Sequence, residues 1–143
     1  MTYSNLRSSA ANTYANIGLE TDVLSASPVQ LIVLLLDGAD AAIEKARLYI
    51  QAGKAQGRQT SISKAIDIIE SGLKASLNLE AGGEVAQNLA TTYDLIIVNL
   101  LQANLRASIE KLEQASQLLQ PIREAWHTLA KQSHTSSPEA ASA

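Results

Sequence analysis

The sequence contains no cysteine and no phenylalanine, and only 3% of its residues are aromatic. Without cysteine it forms no disulfides, thiolate metal sites or cysteine nucleophile, which fits a reducing compartment. With so few aromatic residues the core must be built from Ala, Leu and Ile, which favour helices. The longest apolar run, 29–36, is interrupted by Gln30 and is far shorter than the roughly 20 residues that cross a bilayer. We therefore expect a helical protein with no membrane insertion.

Strong charge of either sign is also missing, since the net charge is −3 over 143 residues. Nucleic-acid-binding proteins usually present a basic face, so we expect no nucleic-acid partner. The first residues lack the apolar stretch of a signal peptide, and we expect a soluble protein. Hydrophobic residues make up 46% of the chain, enough for a single domain with a full core.

Apolar residues recur at the three- and four-residue spacing of amphipathic helices. Ser27, Pro28 and Gln30 predict the first helix start, because they form a capping box with proline at the first helical position. Gly82 and Gly83 predict a turn before the third helix. The predicted helices cover residues 27–52, 60–79, 84–104 and 108–131, with a polar loop at 53–60.

These helices predict an all-α fold, an antiparallel up-down four-helix bundle. We expect one domain over 1–132, with an N-terminal helical cap at 1–26 and a disordered tail at 133–143. Pro121 lies within the last helical pattern and predicts a kink or a locally opened turn. Tyr93 and Trp126 fall on apolar stripes and are expected in the core.

Residues for catalysis or metal binding are sparse. A di-iron bundle needs two Glu-x-x-His motifs, and only Glu124 and His127 form one. Asp37, Asp40 and Glu44 share one helix face, where they predict a solvated surface rather than a cation site. We therefore expect no enzyme activity, no metal and no cofactor.

The informative feature is surplus apolar surface. The first and third helices carry more large apolar residues than one core-facing stripe needs. The surplus positions are Leu31, Leu34, Leu95, Val98, Leu101 and Leu105. Three candidates could cover this surface: the N-terminal cap with Tyr14 and Ile17, a protein partner, or a second copy of the chain.

Short motifs along most of the chain resemble those of the flagellin-specific export chaperones, the FliS family. The matching segments are YANIGLE at 14–20, SASP at 25–28, QLI at 30–32, LDG at 36–38, SKAI at 63–66, IIE at 68–70, GGE at 82–84, NL at 88–89, YD at 93–94, LLQAN at 100–104 and AW at 125–126. Pro121 departs from the pattern.

The resemblance implies a cytosolic chaperone without enzymatic activity. Such proteins bind the disordered C-terminal segment of flagellin, prevent its premature polymerisation and assist its delivery to the flagellar type III export gate. The alternative is a self-associating structural bundle, a homodimer without a peptide substrate. For the chaperone we expect a monomer or a weak homodimer. The expected partner-binding residues are Tyr14, Ile17, Leu31, Leu34, Asn88, Leu95, Val98, Leu101 and Asn104. For Asn104, a helix C-cap is an equally open interpretation.

Overall fold

The structure is a computed structural model that describes residues 26–135, the last three by their backbone alone. The cap expected at 1–26 lies outside this range, except for Ala26. Tyr14 and Ile17 lie outside it as well. Of the tail expected at 133–143, only the backbone to Thr135 is described, and it is helical.

The described chain is all-helical and forms the expected four-helix bundle. Its helices are α1 (Pro28–Gln51), α2 (Ala55–Asp67), α3 (Leu79–Arg106) and α4 (Ile109–Thr135). The helix of α2 continues as a π-helical turn, Ile68–Leu73, and a 3₁₀ turn, Lys74–Ser76. α1 packs mainly against α2 and α4, and α3 packs mainly against α4.

α1 begins as the sequence predicts. The Ser27 hydroxyl accepts a hydrogen bond from the Gln30 amide at 3.2 Å, and the Gln30 side chain accepts one from the Ser27 amide at 2.9 Å. Pro28 occupies the first turn, where its missing N–H leaves no unpaired donor. This box satisfies amides that the helix itself cannot, which stabilises its start by about 1 kcal/mol.

The loop predicted at 53–60 is wrong beyond Lys54, because α2 begins at Ala55. Gly53 makes the sharp reversal in the left-handed region, with φ 69°. Gly57 then lets α2 approach α1, since a Cβ there would lie 2.4 Å from the Tyr49 ring. Tertiary packing thus extends the helix into a polar stretch whose composition indicates a loop.

The glycine turn is confirmed at Gly83, which has φ 55° and ψ −133° within the span of α3. Asn78 caps the turn that precedes it, because its side chain accepts a hydrogen bond from the Ala81 amide at 3.0 Å. α3 ends at Arg106, with Ala107 in the left-handed conformation. The C-cap interpretation of Asn104 is therefore wrong, since the helix runs two residues further.

α4 remains helical through Pro121, so the locally opened turn predicted there is wrong. Pro121 and Gln117, whose carbonyl loses its usual partner, are both exposed. Water can therefore hydrogen-bond that carbonyl, and the helix continues despite the missing bond.

The core lies between the four helices and is almost entirely aliphatic. α1 contributes more fully buried large side chains than a single stripe would, including Leu31, Leu35, Leu36 and Ile43. Leu31 has no exposed surface, so the expectation that it faces outward is wrong. The reason is that α1 contacts both α2 and α4, which widens the arc that it buries.

Candidate partner-binding surface

The outer face of α3 carries a continuous apolar stripe. Leu95, Val98, Leu101 and Leu105 are 49%, 46%, 53% and 81% exposed. Their spacing of three to four residues places them on one side of the helix, opposite the core residues of α3. The expectation that these side chains face outward is confirmed. Exposed apolar surface that is continuous in this way is typical of a docking surface.

Few charged residues of α3 lie beside the stripe, and one of them is Arg106, which follows Leu105. Between Asn88 and Asn104 the only charged residue of α3 is Asp94. Its carboxylate accepts from the Lys74 ammonium at 2.6 Å, and Glu70 lies 3.7 Å from the same ammonium. The hydrogen bond to Asp94 raises the pKa of Lys74 above its ordinary value. This pairing ties the end of the π-helical turn to α3 beside the stripe.

The two expected asparagines occupy different environments. Asn88 is exposed on α3, about two turns before Leu95, and its carbonyl accepts a hydrogen bond from Thr92. Asn104 is half-buried, and its side-chain oxygen accepts from the Arg58 guanidinium of α2 at 3.3 Å. Asn104 thus links two helices, a contact that its sequence neighbourhood does not reveal.

Leu34 is separated from this surface. It lies on α1, is half-buried and packs against the core. Because α1 packs mainly against α2 and α4, the structure does not bring Leu34 or the buried Leu31 to the stripe on α3. Leu95, Val98 and Leu101 are the expected residues that it brings together.

A second apolar feature is a pocket of about 270 Å³ at the other end of α3. Its walls come from α1, the end of α2, α3 and α4, and include Ile32, Leu77, Val85, Tyr93 and Trp126. Trp126 was expected in the core but is half-buried in this wall. Tyr93 is 2% exposed, and burial raises its pKa to about 12.

The irregular backbone shapes this pocket. Leu73 ends the π-helical turn, Ser76 ends the 3₁₀ turn, and both line the cavity. Gly82, next to the break at Gly83, lines it as well. Wider and tighter turns than the α-helix move side chains off their regular positions, so this wall of the pocket is built from irregular backbone.

Polar residues that the sequence predicts on a solvated face instead join α1 to α4. The Asp37 carboxylate accepts from the Arg123 guanidinium at 3.0 Å and lies 2.8 Å from His127 Nε2. The Asp40 carboxylate accepts from the Gln120 amide at 2.9 Å. The solvated interpretation is therefore wrong for Asp37 and Asp40, because α4 covers that face.

Glu44 is different, because it remains exposed and lies 3.5 Å from Arg47 on its own helix. His127 takes part in the Asp37 contact, whereas Glu124 is exposed. Among the side chains of residues 26–132, no three His, Cys, Asp or Glu come together as a metal site. No helix in that range is both long and apolar enough to span a bilayer.

Sequence reasoning missed Asn99, which is only 7% exposed. Its amide donates to the Leu95 carbonyl at 3.0 Å, one turn back along α3. The available signal was a lone polar residue between Val98 and Leu100. A buried amide that bonds its own helix satisfies a donor without a partner from another element.

The chain has clear relatives among known proteins. Residues 10–133 match the family described as "Flagellar protein FliS". The chain is 48% identical over 118 residues to "Flagellar secretion chaperone FliS" of Salmonella typhimurium, covering 82% of this chain and 87% of that protein. It is 44% identical over 113 residues to the Escherichia coli protein of the same name, covering 79% and 83%.

A more distant relative carries the same kind of name. "Flagellar secretion chaperone FliSB" of Pseudomonas aeruginosa is 33% identical over 117 residues, covering 82% of this chain and 92% of that protein. The family match begins at residue 10, before the described bundle, and ends at residue 133, two residues before the described range ends. Together with the all-helical fold, the family match and these identities establish that the chain belongs to the FliS family of flagellar secretion chaperones.

Proposed function

We propose that this chain is a cytosolic export chaperone that binds the disordered C-terminal segment of flagellin. In doing so it prevents premature polymerisation and assists delivery to the flagellar type III export gate. The observation that carries the proposal is the exposed apolar stripe of Leu95, Val98, Leu101 and Leu105 on α3. A disordered segment can form an amphipathic helix on such a face and hide its apolar side from other subunits.

The energetics indicate that the stripe needs help from other contacts. Covering a half-exposed leucine contributes on the order of 1 kcal/mol, so the four side chains together contribute roughly 4 kcal/mol. Ordering a disordered segment costs about 2–5 kcal/mol, which nearly cancels that gain. A useful affinity therefore requires further contact area, and the pocket beside Trp126 and Val85 is a suitable second site. A modest surplus also keeps the substrate releasable at the export gate.

In this proposal the surface binds through apolar contacts and amide hydrogen bonds. Its stripe consists of aliphatic side chains, and the expected polar contacts are the amides of Asn88 and Asn104. Asn88 is exposed and suited to bond an extended ligand backbone. The oxygen of Asn104 already accepts from Arg58, so a ligand would compete with that contact. The proposed role is binding without catalysis.

The alternative function, a structural bundle that self-associates, uses the same exposed stripe. Two copies could bury their α3 faces against each other, which would leave no space for a peptide. The two functions make opposite predictions for flagellin and for oligomeric state, so one set of variants separates them.

The test is Val98→Asp with Leu101→Asp, compared with Leu129→Asp, an exposed leucine of α4. All three residues are exposed, so circular dichroism should show unchanged helicity. We expect the double variant to lose at least 100-fold in affinity for full-length flagellin by isothermal titration calorimetry. Leu129→Asp should stay within threefold of the wild type. Leu34→Asp is unsuitable, because Leu34 packs against the core.

Flagellin that lacks its C-terminal segment is the partner control and should not bind the wild-type chain. Binding that survives Val98→Asp with Leu101→Asp would contradict the proposal. Equally, a tight wild-type homodimer that dissociates in this variant, with no flagellin complex, would support the structural bundle. Light scattering measures both species directly.

A further inference from the structure

A groove runs between α1 and α2, on a different pair of helices from the stripe on α3. Its volume is about 360 Å³ and it opens to solvent. Gly38, Ala41 and Ala42 of α1 and Ser61 of α2 form its shallow parts. Leu48 lies at its edge and is 62% exposed. The groove therefore has room for an apolar side chain of a ligand, and Leu48 is an exposed apolar side chain beside that space.

A lysine stands on each wall of the groove. Lys45 belongs to α1 and Lys64 to α2, and both line the space. The one acidic residue that lines it, Glu44, lies 3.5 Å from Arg47. Neither lysine forms an ion pair with any side chain in the described part of the bundle, residues 26–132. The groove thus has small residues between two lysines that form no ion pair in this range, and Glu44 is its one lining carboxylate.

The two surfaces have different electrostatic preferences. On α3 the stripe has one basic neighbour, Arg106 beside Leu105, and one acidic neighbour, Asp94, which is paired with Lys74. A segment that suits the stripe is apolar with little charge requirement. A segment that suits the groove needs carboxylates on both sides of its apolar residues, because each lysine attracts one. One helical segment does not satisfy both requirements equally well.

We propose that the α1–α2 groove docks an amphipathic helix of a second protein partner, with an apolar stripe flanked on both sides by Asp or Glu. This goes beyond binding of flagellin, which the stripe on α3 is proposed to serve. Helix-in-groove recognition places apolar anchors at intervals of three to four residues, and the flanking carboxylates set the orientation of the helix. The chaperone then holds its substrate and this partner at the same time, on different faces.

The test uses two synthetic 18-residue helical peptides with the same leucine stripe, one flanked by glutamate and the other by lysine. Each is titrated into the full chain and followed by calorimetry. We expect the glutamate peptide to bind the wild type at least tenfold more tightly than the lysine peptide. Lys45→Glu with Lys64→Glu should weaken the glutamate peptide at least tenfold.

The matched control is Lys54→Glu with Arg106→Glu, which reverses two exposed cations that do not line the groove. This control should stay within threefold of the wild type. Circular dichroism of both double variants should match the wild type, because all four substitutions are on the surface. Equal affinities for the two peptides, or equal losses in the two double variants, would overturn the proposal.

Two further measurements test whether flagellin or a second copy of the chain occupies the groove instead. Saturation of the wild-type chain with flagellin should leave the affinity for the glutamate peptide within threefold. If flagellin displaces the peptide, the groove belongs to the flagellin footprint and the proposal of a second partner fails. It fails as well if the chain forms a dimer by light scattering that Lys45→Glu with Lys64→Glu dissociates, since the occupant is then a second copy.

Discussion

Tyr93 illustrates how burial changes the chemistry of one side chain. Its ring is 2% exposed and lines the pocket beside Trp126. Burial raises the pKa of its hydroxyl to about 12, because the phenolate would lose its hydration. In the unfolded chain the same hydroxyl has a pKa of about 10. Between pH 10 and pH 12 the hydroxyl is therefore mostly protonated in the folded state and mostly ionised in the unfolded state.

The stability of the fold should consequently decrease as the pH rises from 10 to 12. The raised pKa contributes stability that is fully present below pH 10, and the loss amounts to about 1.4 kcal/mol per pH unit. Tyr93→Phe should remove this contribution to the slope, and Tyr49→Phe should leave it in place. Urea unfolding at several alkaline pH values measures the slopes. An unchanged slope in Tyr93→Phe would show that the hydroxyl is hydrated in the folded protein.

Also at the residue scale, Asn99 and Asn104 show how the surroundings decide what an amide does. The two lie five residues apart on α3, yet Asn99 bonds its own helix and Asn104 bonds Arg58 of α2. The residue type indicates only that each needs partners when buried. The position of α2 determines which partner is available.

Among the helices, α4 contains the one proline that lies inside a helix of the described chain. Proline in a helix interior removes a hydrogen bond and crowds the carbonyl four residues earlier, at a cost of about 3 kcal/mol. Pro121 is exposed, so its packing against other helices offsets little of that cost. Pro121 also lowers the conformational entropy of the unfolded chain, which stabilises the folded state by about 0.4–1 kcal/mol.

Pro121→Ala should therefore stabilise the protein by about 2 kcal/mol, since the regained hydrogen bond outweighs the lost restriction of the unfolded chain. The midpoint of urea unfolding measures the change, with Thr128→Ala, at an exposed position of the same helix, as the control for general helix propensity. A neutral or destabilising effect would indicate that the bond to the Gln117 carbonyl does not form when the proline is removed.

At the scale of the whole molecule, polar contacts join helices that are far apart in the sequence. Asp37 and Asp40 of α1 meet Gln120, Arg123 and His127 of α4. The side chains of Arg123 and Asp37 are 24% and 38% exposed, so solvent screens part of their attraction. These contacts hold α4 against the Asp37 face of α1, whereas the groove lies where α1 meets α2.

A double-mutant cycle with Asp37→Ala and Arg123→Ala should give a coupling energy of about 1 kcal/mol, measured by urea unfolding. The matched pair is Arg47 and Glu113, which also joins α1 to α4 at 3.0 Å but with Glu113 49% exposed. Greater exposure should reduce its coupling to less than about 0.5 kcal/mol. Equal couplings would contradict the expected dependence on exposure.

Local signals in the sequence predict several elements correctly. Ser27 and Gln30 mark the start of α1, and Gly83 marks the break before the long part of α3. Both depend on interactions within a few residues, so the residue types suffice. The outward face of α3 could be predicted for a similar reason, because Leu95, Val98 and Leu101 fall opposite the core stripe of one regular helix.

Where several helices meet, the sequence is not sufficient. It placed Leu31 outside and Asp37 in solvent, and the structure buries the first and pairs the second with α4. Periodicity shows which side chains share a face of a helix, but the number of neighbouring helices determines how much of its circumference is covered. The sequence by itself therefore determined the all-helical class, the first cap, the glycine break and the exposed stripe. Only the tertiary packing decided the wide buried arc of α1, the pocket at Trp126 and the groove at Lys45 and Lys64, because each is formed by side chains of helices that the chain brings together from distant positions.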